Sequence, residues 1–175
     1  MITFAKERPI DVICMGRVAV DLYAEDIGFS LADATTFKKY LGGCAGNIAV
    51  GTARLGLTSM MFSCVGKDEM GRFIKDTLQA EGVRTDLLYD TPHHLTGLVL
   101  LGVNPPTEFP LMFYRENCAD MQLQQEHARE EVISQAKSLL ITGTGLSKPS
   151  IRETTWHTVN LARQHQTAVI MDLDY

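Results

Sequence analysis

The chain has 175 residues, of which 45% are hydrophobic and 21% charged, and its formal net charge is -5 at pH 7. This length and composition are those of a globular protein with a core of its own, and we expect one large domain, or one domain with a small appendage. The negative charge leaves no basic stripe for a phosphate backbone, so it argues against a nucleic-acid partner and favours small molecules.

The cysteines and the N-terminal sequence indicate the compartment. The four cysteines are far apart and form no Cys-x-x-Cys pair, which favours free thiols over a disulfide framework or a zinc site; they are Cys14, Cys44, Cys64 and Cys118. The N-terminus has no apolar signal core, and no apolar run is long enough to span a bilayer. The sequence therefore predicts a cytoplasmic protein without a membrane partner.

The first predicted strand covers residues 11–16, a short apolar run that ends in glycine, as buried strands of parallel sheets do. Asp21 follows it between apolar residues. Open α/β sheets bind ligands beyond the carboxyl ends of their strands, so Asp21 is a candidate binding residue. An aspartate that only closes a turn or caps a helix is an equally consistent interpretation.

Gly42 and Gly43 form a double glycine between two predicted elements. Residues 35–40 have β-forming side chains without a strong buried face, which predicts a flap strand outside the main sheet. Small residues at helical spacing follow, so a helix should start at the glycines, where unpaired amides favour anionic or hydroxyl-rich ligands. Asn47 would then turn its amide toward the glycines. A tight turn without any ligand remains the alternative, because neither a phosphate loop nor a Rossmann fingerprint is present.

A second buried strand is predicted over residues 60–65. Asp68 and Glu69 come next and suit the start of a helix that runs from about Met70 and stops at Gly82. We interpret the two carboxylates as the solvated first turn of this helix rather than as metal ligands.

Residues 95–103 and 111–114 are strand-like and are joined by a turn-rich segment, which predicts a hairpin. A hairpin that interrupts the alternation of strands and helices should project from the main sheet as a lid or an interaction surface. Arg115 leaves the second strand, where its guanidinium could bind a carboxylate ligand through two hydrogen bonds. A surface ion pair with Glu116 or another neighbour is the alternative.

Four more elements are predicted in the last third of the chain: an amphipathic helix over residues 126–137, a strand over 138–142, a helix opened by a capping box of Ser150 and Glu153 and ending near Gln164, and a strand over 167–172. Alternating strands and helices predict an α/β fold with a parallel sheet covered on its faces. The histidines lack metal-ligand spacing, so we predict no metal site.

The chain ends at Tyr175, directly after its last predicted strand, without a covering helix or a polar tail. Domains usually end at the surface in flexible sequence. We therefore expect residues 1–175 to be the N-terminal part of a larger fold.

The run Gly-Gly-Cys-Ala-Gly-Asn at residues 42–47, with Ala-Arg-Leu-Gly at 53–56, resembles the N-terminal motif of the ribokinase-like sugar kinases, also called PfkB carbohydrate kinases. Asp21, the turn at 65–71 and the hairpin occur in the order that the family shows, so the resemblance covers essentially the whole chain. It implies a three-layer α/β sandwich with a mainly parallel sheet and a small β lid, whose strands would lie near residues 17–40 and 95–115.

The resemblance also implies roles for five residues. Asp21, Gly42, Gly43 and Asn47 would hold sugar hydroxyls, and Arg115 would reach the acid end of the substrate. Within the family, residues 16–24 and 109–121 are similar to the 5-dehydro-2-deoxygluconokinases of myo-inositol catabolism. The run Tyr-Arg-Glu-Asn-Cys-Ala-Asp is similar, more distantly, to the 2-keto-3-deoxygluconate kinases. Both groups phosphorylate sugar acids, and another sugar kinase is a further alternative.

Family members carry their catalytic aspartate in a Gly-Ala-Gly-Asp turn of the C-terminal half, together with the ATP-binding region and the magnesium-associated motif. This chain has none of them, and it stops before the substrate-facing arginine that commonly follows the strand ending here at 172–175. We therefore expect the catalytic base to lie beyond Tyr175. Residues 1–175 should then hold no catalytic residue and no complete ATP or Mg²⁺ site, and they should be inactive alone.

The alternative from another class is a non-catalytic module. Such a module would sense a sugar acid and form a homodimer through its β lid, because strands at the edge of a sheet pair readily with a second chain.

Overall fold

The computed structural model describes residues 4–173. Residues 1–3, Asp174 and Tyr175 lie outside the described residues, and so do the parts of the sequence predictions that fall on the two chain ends. The catalytic base that we expect beyond Tyr175 therefore stays a prediction.

The strands are β1 (Ile10–Met15), β2 (Ala19–Ala24), β3 (Phe37–Gly42), β4 (Ser59–Gly66), β5 (Arg84–Thr91), β6 (Leu98–Leu101), β7 (Leu111–Tyr114), β8 (Ala136–Thr142) and β9 (Ala168–Asp172). The α-helices are α1 (Cys44–Arg54), α2 (Glu69–Ala80), α3 (Glu130–Ile133) and α4 (Pro149–Gln164).

The larger sheet has the strand order β5-β4-β1-β8-β9, and each neighbouring pair is parallel. β1 and β4 are apolar along nearly their whole length because helices cover both faces of the sheet. Alternate residues of β1 enter different cores: Ile13 and Met15 pack with α3 and α4, and Val12 and Cys14 pack with α1 and α2. The predicted three-layer α/β sandwich with a mainly parallel sheet is thereby confirmed.

A smaller sheet has the order β3-β2-β6-β7. β2 pairs antiparallel with β3 and parallel with β6, and β6 and β7 form the predicted antiparallel hairpin. One face packs on α1 and α2 through Leu22, Leu41 and Leu98. The strand expected as a flap before the double glycine is β3, and it lies in this smaller sheet.

Two expectations about helices are wrong. Residues 126–137 do not form one helix: Gln125–His127 is a 3-10 turn, α3 has only four residues, and β8 begins at Ala136. Ala136 pairs with Ile10 of the central strand. The last residues of the predicted helix therefore belong to β8 of the parallel sheet. The backbone carbonyl of His127 is meanwhile held by the Tyr89 hydroxyl at 3.0 Å.

The capping box at Ser150 and Glu153 is also absent, because α4 begins earlier than predicted. Its N-cap is Lys148, no side chain caps it, and Pro149 occupies the first turn, where a missing N–H costs little. The predicted end at Gln164 is confirmed.

The predicted start of α2 is confirmed as well. Asp68 is the N-cap of this helix, and its carboxylate accepts a hydrogen bond from the Gly71 amide at 2.8 Å.

No helix in residues 4–173 is long and apolar enough to cross a membrane.

Candidate functional site

Asp21 and Gly42 meet at the base of the smaller sheet. Asp21 lies in β2 opposite Tyr40 of β3, and Gly42 closes β3. A Cβ atom at position 42 would lie 2.1 Å from Asp21 Oδ1 and 2.4 Å from Oδ2, so only glycine leaves room for the carboxylate. Asp21 is half-buried, and this burial raises its pKa. The carboxylate is thus held over bare backbone at the point where the chain enters α1.

Gly43 is the N-cap of α1 and has φ of +90°, a conformation that favours glycine. A Cβ atom there would lie 2.6 Å from the carbonyl oxygen of Arg17, so the loop between β1 and β2 packs directly on the glycine. No side chain caps α1, and its first turn has no acidic residue. The double glycine therefore starts the helix, as predicted, and brings its positive end to the same place as Asp21.

Asn47 projects from the first helical turn, and its side chain is exposed. Asp21 and Asn47 line one cleft of about 660 Å³ between β2, β3 and α1. Three further polar side chains from the two strands line it, namely Tyr23, Lys38 and Tyr40. Two of them, Tyr23 and Tyr40, stack edge to face with ring centroids 5.3 Å apart. Glu25, which follows β2, also lines the cleft. Two carboxylates, an amide, two phenols and an ammonium group are a donor and acceptor set for a hydroxyl-rich ligand.

The structure brings Asp21, Gly42, Gly43 and Asn47 together, but it places Arg115 elsewhere. Arg115 lines a second cleft of about 560 Å³ with the loop at His93 and His94. Its guanidinium lies 3.8 Å from the ring centroid of Phe113. Within residues 4–173 it forms no ion pair with Glu116 or another acid. Burial, and after it the positive charge of Arg17, lower the pKa of Arg115.

Sequence reasoning missed a charged pair at the end of the central strand. Arg17 follows β1 and Gly16, and its Nε donates a hydrogen bond of 2.6 Å to Asp120 Oδ2. The missed signal was an arginine at the exit of a buried strand, a position where ligands of open sheets bind. Tyr23, Lys38 and Tyr40 were missed too, because the strands that carry them have no distinctive pattern.

Other chemistry is restricted in this part of the chain. Among residues 4–173 no three His, Cys, Asp or Glu side chains are grouped so that they could hold a metal ion. Burial raises the pKa of Cys14 and of Cys64 to about 12. Both thiols therefore stay protonated near neutral pH and are poor nucleophiles. The site as a whole is suited to binding and orienting a ligand.

The chain is similar in sequence to carbohydrate kinases over nearly its whole length. Residues 10–175 match the model of the pfkB family carbohydrate kinases. A 5-dehydro-2-deoxygluconokinase of Geobacillus thermodenitrificans is 39% identical over 176 residues, which is 100% of this chain and 52% of that protein. The enzyme of the same name from Geobacillus kaustophilus is 39% identical over 98% of this chain and 52% of its own length. The chain thus spans about half the length of these curated relatives.

Among solved structures, a fructokinase from Xylella fastidiosa superposes with a TM-score of 0.86 and 26% identity, over 94% of this chain and 50% of that one. The fructokinase of that organism with bound ATP superposes with a TM-score of 0.84 and 27% identity, over 94% and 49%.

Proposed function

Because the chain belongs to the pfkB family of carbohydrate kinases, we propose that it supplies the sugar-binding half of an ATP-dependent kinase whose acceptor is the sugar acid 5-dehydro-2-deoxygluconate, in inositol catabolism. One observation carries this proposal: the Asp21 carboxylate packs directly on Gly42, and Asp21 and Asn47 line the same cleft. The name shared by the two Geobacillus relatives supports the choice of acceptor.

The cleft residues have complementary tasks in this proposal. When ionised, Asp21 accepts hydrogen bonds from two sugar hydroxyls, and the Asn47 amide both donates and accepts. The double glycine lets the sugar approach the backbone without side chains in the way. Arg115, which follows the edge strand β7, binds the carboxylate of the acceptor from the other side of the smaller sheet, which acts as a lid. These contacts fix the hydroxyl that is to be phosphorylated.

ATP and Mg²⁺ belong to this proposal for the complete enzyme. The Xylella fructokinase with bound ATP supports ATP as the donor. Residues 4–173 offer no group of three His, Cys, Asp or Glu side chains that could hold a metal ion. We therefore derive only acceptor binding from this chain, and we assign phosphoryl transfer, with the base expected beyond Tyr175, to the remainder of the domain.

The test is an ATP-dependent phosphorylation assay on the protein that carries this chain with its natural downstream sequence. We expect turnover of 5-dehydro-2-deoxygluconate at a higher kcat/KM than for 2-keto-3-deoxygluconate or fructose. Asp21→Asn should lower kcat/KM by about 10-fold to 100-fold, the loss expected for a charge-assisted hydrogen bond. Asp33→Asn, which changes an exposed aspartate of the loop before β3, is the matched control and should leave the rate unchanged. A preference for 2-keto-3-deoxygluconate would instead identify the protein as a 2-keto-3-deoxygluconate kinase.

A second proposal concerns a partner, and β7 supports it. All four side chains of β7 are exposed, and the strand forms the edge of its sheet. Open, apolar sheet edges pair readily with another chain. We propose a homodimer through this sheet, whether the protein is a kinase or a non-catalytic module that binds sugar acids.

We further place the protein in the cytoplasm. Cys14, Cys64 and Cys118 are free thiols, and all three are buried. Unpaired cysteines persist in a reducing compartment, which supports this location.

A further inference from the structure

The cleft that contains Arg115 has a second wall with chemistry of its own. The loop after β5 forms this wall, and it contributes His93 and His94, two imidazoles that the function proposed above does not use. His93 is exposed and His94 is half-buried, and both line the cleft of about 560 Å³. A guanidinium and two imidazoles, all of them N–H donors, therefore border one open space.

Hydrogen bonds hold the two walls of this cleft in place. The amide and the hydroxyl of Thr96 each donate to Asp68 at 2.9 Å, which anchors the histidine loop to the start of α2. The Ala119 amide donates to the carbonyl oxygen of Leu95 at 2.9 Å and ties the same loop to the segment after Arg115. The imidazoles and the guanidinium are thus held on fixed backbone, as a preorganised binding site requires.

The Arg115 side chain is arranged to receive a carboxylate. Its guanidinium lies over the Phe113 ring, 3.8 Å from the ring centroid. The N–H donors of a guanidinium lie around its edge, so stacking through the face leaves them available. Glu116 is the acid among the residues that line the cleft, and within residues 4–173 it forms no ion pair with Arg115.

His94 is the imidazole whose ring has a partner in the protein. The Thr91 hydroxyl lies 3.3 Å from its Nδ1 atom. A hydroxyl can donate as well as accept, so Thr91 can hold the neutral ring in the tautomer that carries its proton on Nε2. The hydrogen bond of the His94 ring within residues 4–173 is this one, and it leaves the Nε2 edge for a ligand.

The two clefts are close enough for one sugar acid. Asp21 lies opposite Val99 of β6, and Val99 lies opposite Phe113 of β7, so all three are on the same face of the smaller sheet. Two strand spacings separate Asp21 from Phe113, about 10 Å, a span comparable to that of an extended six-carbon acid. Hydroxyls at Asp21 would leave the carboxylate at the β7 side, where Arg115 stacks on Phe113.

We propose that His94 is a further specificity-determining residue, which donates a hydrogen bond from Nε2 to the carboxylate of the acceptor beside Arg115. This inference rests on the proposed sugar-acid site. Thr91 is a positioning residue, since it acts through the His94 ring. Asp21 and Asn47 bind hydroxyls that acids and neutral sugars share, whereas the His94 contact exists only for an acid.

The experiment measures calorimetric binding without ATP, on the protein with its natural downstream sequence. The probes are 5-dehydro-2-deoxygluconate, gluconate, and glucitol, which has the carbon chain of gluconate without the carboxylate. His94→Leu should weaken binding of both acids by about 10-fold, the loss of a hydrogen bond to a charged group, and change glucitol binding less than about 3-fold. His94→Gln places an amide N–H near the position of Nε2 and should recover part of the loss.

The role of Thr91 has its own pair of variants. Thr91→Val keeps the shape of the side chain without the hydroxyl and should weaken acid binding by about 3-fold to 5-fold, whereas Thr91→Ser should bind acids as the wild type does. His157→Gln is the matched control, because His157 lies in α4 on the other side of the larger sheet. In steady-state kinetics the effect of His94→Leu should raise KM and leave kcat within about 3-fold, as the loss of uniform binding does.

The outcomes separate this inference from the proposed kinase. Acid binding that His94→Leu weakens and His94→Gln partly restores supports the inference even if no sugar is phosphorylated, a result that would reject the kinase. Turnover of 5-dehydro-2-deoxygluconate with an unchanged KM in His94→Leu would leave the kinase standing and overturn the role of His94. A wild type that binds gluconate no more tightly than glucitol, or a larger loss in His93→Leu than in His94→Leu, would also overturn it.

Discussion

The carboxylate of Asp21 occupies the space in which a side chain at Gly42 would begin. A Cβ atom on Gly42 would meet all three atoms of the carboxyl group at 2.1 to 2.4 Å, well inside van der Waals contact. Gly42 is also buried, so a side chain added there could not turn out into solvent. The glycine at this position therefore sets where the carboxylate points.

Gly42→Ala should displace the Asp21 carboxylate and weaken sugar binding about 10-fold or more, because a charge-assisted hydrogen bond is lost. We also expect the free energy of unfolding to fall by about 1 to 3 kcal/mol, the usual cost of overpacking. Calorimetric binding and urea denaturation measure the two effects. The matched control is Gly51→Ala in α1, where a Cβ meets nothing within 4 Å. It should raise stability by about 0.5 to 1 kcal/mol and leave binding unchanged. Unchanged sugar binding in Gly42→Ala would contradict the proposal that Gly42 positions the Asp21 carboxylate for the sugar.

Asp21→Asn should raise the stability of the folded protein at neutral pH and lower its affinity for sugars. Burial raises the pKa of Asp21 above its ordinary value of 3.8, so the ionised form is disfavoured in the folded protein. The folded state then binds the proton more tightly than the unfolded state. The favourable contribution of Asp21 to stability is present at low pH and is lost as the pH rises from about 3.8 through the raised pKa.

At pH 7 we therefore expect Asp21→Asn to melt at a higher temperature than the wild type, while its affinity for sugars drops. The advantage should shrink as the pH falls toward 3.8, the ordinary pKa of an aspartate. Differential scanning calorimetry between pH 4 and pH 7 gives the comparison, with Asp33→Asn as the exposed control. A variant less stable than the wild type at pH 7 would argue against the assigned effect of burial.

The sequence predicted the large sheet better than the connections between its strands. The strands around Val12, Phe62 and Leu140 are buried on both faces, and such strands leave long apolar runs that are visible in the sequence. The segment at 126–137 shows the limit. Its apolar residues suit a helix, but Ala136 forms part of a strand because it pairs with Ile10, which lies 126 residues away in the chain. No local pattern reports such a contact.

The candidate site divides in the same way. Asp21, Gly42, Gly43 and Asn47 could be proposed from the sequence because a double glycine before a helix is a local signal. The Arg17–Asp120 contact joins residues 103 positions apart, and neither residue has an unusual neighbourhood in the sequence. Only the folded chain shows that the arginine after the central strand is oriented by a buried carboxylate.

Asp68 should contribute stability that acid removes. Burial alone would raise its pKa, but hydrogen bonds from Thr96 and Gly71 outweigh burial and lower the pKa below 3.8. A lowered carboxylate pKa stabilises the folded state above the unfolded pKa, and this contribution is lost as the pH falls through the folded value. Asp68→Ala should lower the free energy of unfolding at pH 7 by about 1 to 2 kcal/mol, the effect of losing a helix cap.

The difference between Asp68→Ala and the wild type should begin to narrow in urea denaturation as the pH drops below about 4, where the carboxylate of the unfolded chain becomes protonated, and it should close as the pH falls through the lowered pKa of the folded carboxylate. Glu69→Gln is the matched control, since Glu69 is exposed and pairs only with Arg72 on the helix surface. It should change stability by less than about 0.5 kcal/mol. A pH-independent loss in Asp68→Ala would mean that the cap does not act through its charge.

The exposed strand β7 gives the last prediction. Leu111, Met112, Phe113 and Tyr114 are 51%, 45%, 48% and 57% exposed, so both faces of the strand present apolar surface next to an unpaired edge. If the smaller sheet forms the proposed homodimer, Met112→Lys should dissociate it, because a buried ammonium group without a partner is strongly unfavourable at an interface. Sedimentation equilibrium should show a dimer for the wild type and a monomer for Met112→Lys. Leu55→Lys is the matched control, since Leu55 is 83% exposed at the end of α1, away from the sheet, and its variant should remain dimeric. A monomeric wild type, or a dimer that survives Met112→Lys and dissociates in Leu55→Lys, would place any self-association on another surface.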